Sequence, residues 1–202
     1  MNRRSGPGAA VLAGLLALAG GCAAPAPVAV AAAPVEAAPS EAGPGRAERV
    51  AEALVMAERA ERAADPAALA LAAARLERLG AKPATPSDEA AMGRWLASLP
   101  GDAAAMRGRA LGPAYRSAAL DPGATTQLNQ TFLGGRSAQI VLRVSRGPIP
   151  RLVVRDQSAR QVCKAIADDP VKCRWVPIYT QRHSIEIVNT GPQMSEFYIV
   201  FD

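Results

Sequence analysis

Hydrophobic and polar positions change their rhythm along this 202-residue chain, and each change marks a new kind of segment. Residues 9–21 are an uncharged run of 13, mostly Ala, Val, Leu and Gly, which is too short to span a bilayer because that takes about 20 apolar residues. From residue 46 to about 119 the apolar positions recur with helical spacing. Val50, Leu54 and Ala57 share one face, with Glu58 and Arg62 placed four apart for a helical ion pair. Asp65-Pro66 has the form of an N-cap followed by the first helical residue, Leu69, Ala72, Leu76 and Leu79 share a stripe, and Gly80 is placed to end the helix. These two helices are expected to form an antiparallel hairpin. A third is expected from Ser87 as N-cap, carrying Met92, Trp95, Leu96 and Leu99 up to Pro100-Gly101, and a weaker fourth over 102–111.

From Thr125 the period becomes two. Ile140, Leu142 and Val144 alternate with Gln139, Arg143 and Ser145, only Val141 breaking the rule; the alternation returns at 152–156, at Ile185 and Ile187, and at Phe197, Ile199 and Phe201. Turn residues separate these runs at Gly134-Gly135, Gly147-Pro148, Asp168-Asp169-Pro170 and 189–192. Six or seven short strands so punctuated predict a small antiparallel sandwich. The expected fold class is therefore α+β in separate segments, with a helical region at 46–120 and a sandwich at 125–202. Ala-rich helices bury little apolar area, so the helical region is expected to need the C-terminal domain or a partner for stability.

The N-terminus resembles a bacterial lipoprotein signal peptide. Arg3-Arg4 supplies the positive start, 9–21 the apolar stretch, and Leu18-Ala19-Gly20-Gly21 the small residues before Cys22. The resemblance implies a signal peptide over 1–21, lipid on Cys22, and a mature chain of 181 residues facing the periplasm. Ala23 follows the cysteine, not the Asp that in some bacteria retains lipoproteins at the inner membrane, so the outer membrane is the expected one. Residues 22–45 form an Ala/Pro-rich segment with Pro25, Pro27, Pro34, Pro39 and Pro44, which disfavours helix and central strand and reads as a solvated tether. In an oxidising compartment the remaining cysteines, Cys163 and Cys173, are expected to form a structural disulfide, read as a staple across a hairpin that turns at Asp168-Asp169-Pro170. The alternative, a metal or redox pair, would be expected to show a Cys-x-x-Cys spacing or a second pair.

Charge is divided unevenly. Residues 41–124 carry 11 basic and 11 acidic side chains, whereas 125–202 carry 10 and 6. This is too weak an excess for a nucleic-acid binder, which usually places a strong basic stripe on one face. The basic patch expected to matter is Arg143, Arg151 and Arg155, read as outward residues on neighbouring strands and suited to carboxylates or phosphates. Residues 175–179 form the densest apolar-aromatic patch. Core filling is its default role, and a binding surface around Trp175 and Tyr179 the alternative.

The strands also carry a family resemblance. Residues 138–144, the strand 152–156 ending in Asp156, residues 182–189 followed by Gly191, and the closing 195–201 resemble the bacterial pre-peptidase C-terminal β-sandwich. That resemblance implies a jelly-roll-like, noncatalytic binding or secretion module, in some members with calcium. Gly147-Pro148-Ile149-Pro150 stands here where acidic positions would be expected, so no metal and no cofactor are expected. His183 is the one histidine and shares a face with Ile185 and Ile187, which suits a satisfied strand residue better than a catalytic base. The functional expectation is a lipid-anchored, noncatalytic binding or scaffold protein of the envelope, with anionic envelope material or an envelope protein as its partner. An envelope enzyme or enzyme inhibitor with an unrecognised site is the alternative.

Overall fold

The computed structural model describes residues 43–99, 112–165 and 168–202. The expected signal peptide, Cys22, most of the tether and the fourth helix lie outside the described residues. Three helices, α1 (Arg46–Arg62), α2 (Pro66–Leu79) and α3 (Pro86–Leu96), precede most of the strands. The strands are β1 (Lys82–Pro83), β2 (Ala114–Leu120), β3 (Thr125–Phe132), β4 (Ala138–Arg146), β5 (Arg151–Arg155), β6 (Gln161–Ala165), β7 (Val171–Trp175), β8 (Gln181–Val188) and β9 (Ser195–Phe201). They make two sheets, β1-β2-β9-β4-β7 (sheet A) and β3-β8-β5-β6 (sheet B). The chain is thus an α+β protein with a C-terminal β-sandwich. No described helix is long and apolar enough to cross a membrane.

Helix ends follow local chemistry. Asp65 caps α2 by accepting from the amides of Ala67 and Ala68, and Gly80 closes it in the left-handed conformation at φ 64°. For α3 the cap is Thr85, not Ser87 as expected. Thr85 accepts from the Asp88 amide with Pro86 at the first turn, the same cap-then-proline logic as Asp65-Pro66, while Ser87 falls inside the helix.

Two cores share sheet A. The inner one fills the space between the sheets with Ile140, Leu142, Leu152, Val154, Ile185, Ile187, Phe197 and Ile199, all at most 1% exposed. The outer one joins Tyr115, Val141, Tyr198 and Val200, on the far face of sheet A, to Val50, Leu54, Leu76 and Trp95 from the helices. Helix α1 lies against β4 and β9, and α2 packs on α1. The alanines of α1 (Ala47, Ala51, Ala53, Ala57) are buried, and their small size lets that helix approach both neighbours closely. Val141 breaks the two-residue alternation for this reason: its face of the sheet is buried too. Residues 114–120, read from the sequence as the end of the helical region, instead form β2, whose seven residues all pair with β9.

Asp88 ties the helices to the sheet edge. Strand β1 pairs only with Ala114 and Tyr115 of β2, so farther along that edge Ser117 offers its amide to the Asp88 carboxylate at 3.1 Å. The same oxygen accepts from the Ser117 hydroxyl at 2.6 Å, and the other accepts from Thr85 Oγ1 at 2.5 Å. Tyr115 donates to the Asp88 carbonyl at 3.3 Å. Burial pushes the phenols of Tyr115 and Tyr198 well above the usual tyrosine range, helped by the Asp88 charge and, for Tyr198, by the Glu58 carboxylate.

Cys163 and Cys173 form the expected disulfide, but it is not a hairpin staple. β6 is the last strand of sheet B and β7 the last of sheet A, so the bond clasps the two sheets together along one side of the sandwich. The hairpin reading fails because the two strands turn into different sheets instead of pairing with each other.

Two stability outcomes follow from this packing. Asp88→Ala removes a buried carboxylate that accepts from Ser117 and Thr85 and should cost about 2 kcal/mol in chemical denaturation, whereas Glu89→Ala on the exposed side of α3 should cost well under 1 kcal/mol, on the order of other surface changes. Replacing Cys163 and Cys173 together by Ala should lower stability by roughly 2 to 3 kcal/mol, and peptide mapping after alkylation without reduction should find the two cysteines joined in exported protein.

Candidate functional site

The expected arginine patch is divided by the fold. Arg143 lies on β4 with its side chain on the helix-bearing face of sheet A, beside Val141, whereas Arg151 and Arg155 lie on β5, on the outer face of sheet B. Residues 143 and 151 are close in sequence, but the β4–β5 connection crosses from one sheet to the other. The three guanidinium groups therefore cannot act on one ligand.

Sheet B brings together a different set. Along β3, Gln127, Asn129 and Thr131 alternate outward and pair across to Glu186, Ser184 and Arg182 of β8; Arg155 of β5 also pairs with Ser184. Gln127, Asn129, Arg155, Arg182 and Ser184 thus line a shallow groove of about 370 Å³ that ends at the β5–β6 turn. Gln127 donates to the Ser184 hydroxyl at 2.6 Å, and Arg155 meets Glu186 at 3.4 Å. Asp156 shapes the groove's end. Its Oδ1 accepts from the amides of Ser158 and Arg160 and its Oδ2 from Arg160 Nε, all at 3.0 Å. Burial alone would push this carboxyl up, but the donated hydrogen bonds and the Arg160 charge hold it below the usual carboxylate range. Asp156 is therefore committed to its turn, and the groove offers guanidinium, amide and hydroxyl groups to a ligand. Arg151 shares the face at the far end of β5, with Val153 buried between it and Arg155.

The aromatic patch at 175–179 also separates into two roles. Trp175 turns inward, its ring 4.8 Å from Phe132 and 5.3 Å from His183 between centroids. His183 is fully buried, accepts from Trp175 Nε1 at Nε2 over 3.2 Å and lies 3.2 Å from the Gln181 carbonyl at Nδ1. The tautomer protonated on Nδ1 satisfies both ring nitrogens, which is the structural role expected of this histidine. Val176, Ile178 and Tyr179 point the other way and are 60%, 70% and 73% exposed.

Arg182, Gln127, Asn129 and Ser184 were not singled out from the sequence. A signal was present: β3 alternates Thr, Gln, Asn and Thr outward with no charge among them, a composition that a merely solvated strand does not require.

No protein-family model matches the chain, and no curated protein sequence is significantly similar to it. Among solved structures, the pre-peptidase C-terminal domain of a collagenase from Bacillus anthracis is similar at 9% identity, covering 44% of this chain and 87% of that one with a TM-score of 0.40. A periplasmic inhibitor of g-type lysozyme from Aeromonas hydrophila is similar at 7% identity, covering 45% and 84% with a TM-score of 0.36. A de novo designed double-stranded β-helix is similar at 11% identity, covering 44% and 97% with a TM-score of 0.30.

Proposed function

We propose that this is a noncatalytic binding protein of the bacterial cell envelope, held to the outer membrane by lipid on Cys22, that recognises anionic cell-wall material on the outer face of sheet B. The observation that carries this reading is the convergence of Arg155 and Arg182 on one groove with the neutral groups of Gln127, Asn129 and Ser184. A guanidinium presents a planar fork of donors that matches a carboxylate, and amides and hydroxyls beside it suit the hydroxyl and amide groups of a cell-wall polymer. The groove is shallow and open to solvent, so binding is weak per site and falls as salt screens the exposed charges beyond about 10 Å at 0.1 M. Support for the anchor comes from the sequence, in Arg3-Arg4, the apolar run and Gly20-Gly21-Cys22.

Cosedimentation of the mature protein with isolated cell wall tests the groove. Arg155→Gln with Arg182→Gln should lower retention about tenfold at low salt, while Arg143→Gln, on the opposite sheet, should leave it unchanged. Equal retention of the double variant and wild type would remove this reading. The anchor is tested separately: Cys22→Ala should release the protein from membranes or block its processing, and an unmodified Cys22 on membrane-bound wild-type protein, found by mass spectrometry, would overturn it.

A further inference from the structure

Six large apolar side chains are prominently exposed among the described residues, and four of them sit at one end of the sandwich: Leu133, Val176, Ile178 and Tyr179. Leu133 belongs to the β3–β4 loop and the other three to the β7–β8 loop. The two loops are locked together, because Gly135 donates to the Pro177 carbonyl at 2.7 Å and Gly134 to Thr180 Oγ1 at 3.0 Å. A Cβ on Gly134 would lie 2.8 Å from the Thr180 nitrogen, so only glycine permits this approach; Gly135 takes φ +71°. Beneath the loops stand Phe132, Trp175 and His183 in mutual ring contact. The apolar tip is therefore built into the fold and held outward, at a continuing cost in exposed apolar surface.

Its surroundings are basic. Arg136 and Arg174 are exposed around the two loops, Arg174 with its Nε donating to Ser137 Oγ, and Asp202 is an acidic side chain beside them. The chain also enters the folded body at this end: a Cβ on Gly45 would lie 3.3 Å from Gln139 Oε1, and Gln139 exchanges backbone hydrogen bonds with Asp202. From Cys22 to Gly43 is at most about 75 Å of extended chain, so an anchor at Cys22 holds this end within reach of its own membrane and raises the local lipid concentration it meets.

We propose that this end of the sandwich is a membrane-contact surface, in which Ile178 and Tyr179, with Leu133 and Val176, enter the interfacial layer of an anionic bilayer while Arg136 and Arg174 meet its phosphates. Apolar side chains with a basic rim are the composition by which monotopic surfaces hold to anionic lipid, and a tyrosine suits the interface because its ring is amphipathic. A rim of mostly one sign matches a phosphate surface better than a protein partner of mixed charge. The proposal rests on the envelope-anchored reading for the direction the tip faces, and it leaves the sheet B groove free at the side.

The test uses the mature chain, residues 22–202, with Cys22→Ser so that no acyl group contributes. On vesicles of phosphatidylethanolamine and phosphatidylglycerol this protein should cosediment, losing retention as salt rises, and a Tyr179→Trp reporter should shift its emission to the blue. Ile178→Ser with Tyr179→Ser should lower partitioning about tenfold or more with an unchanged thermal midpoint, since both residues are exposed. Leu133→Ser gives a second, milder loss should the pair disturb the loop, and Arg136→Gln with Arg174→Gln should weaken binding to anionic vesicles only. No binding by the parent protein, or equal binding by the Ile178/Tyr179 variant, would overturn the proposal. So would a variant that keeps vesicle binding but loses an envelope protein. Because the anchor is absent, failure here is distinct from failure of lipidation, and the cell-wall assay on Arg155 and Arg182 reads the groove separately.

Discussion

Burial of sheet A on both faces is the constraint on which the rest of the structure depends. Phe197, Ile199 and Phe201 of β9 face sheet B while Tyr198 and Val200 face the helices, so five successive residues are buried and none can be polar without a partner. A sheet buried on both sides reads as a continuous apolar run, as parallel sheets do in layered folds, although β9 is antiparallel to both neighbours here. The sandwich and the Ala-rich helices share that strand and fold as one body, with no seam at residues 120–125 where charge and periodicity change.

This arrangement decides which surfaces are left for recognition. The helices occupy the outer face of sheet A, which removes Arg143 from the opposite side of the sandwich and leaves the outer face of sheet B as the polar sheet surface open to solvent. There the cross-strand rule brings Gln127, Asn129, Arg155, Arg182 and Ser184 together from three strands. The disulfide at the other side joins β6 to β7, holding the sheets at a fixed spacing where neither has a further strand to pair with.

The end of the sandwich is organised by the same economy. Trp175 and His183 satisfy each other's ring nitrogen and N–H inside the aromatic cluster, which spends the single histidine on structure. With that base fixed, residues 176–180 have nowhere to bury Val176, Ile178 and Tyr179, and the loop displays them.

Much of this was legible in the sequence because it depends on neighbours along the chain. The caps at Asp65 and Gly80, the helical stripes, the strands from Thr125 onward and the turns at Gly134-Gly135 and Asp168-Asp169-Pro170 rest on local geometry and period, and so did the pairing of Cys163 with Cys173 once export was inferred. Thr85 was missed in favour of Ser87, which stands directly before the acidic Asp88 and Glu89, although Thr85-Pro86 carries the same cap-then-proline signal as Asp65-Pro66. What tertiary structure alone decided is which sheet each strand joins. Periodicity tells which side chains share a face of their own strand, but it carries no information on which other strand lies beside it. That choice separated Arg143 from Arg151 and Arg155, turned a hairpin staple into an inter-sheet clasp, made residues 114–120 an added strand, and brought Arg182 beside Arg155.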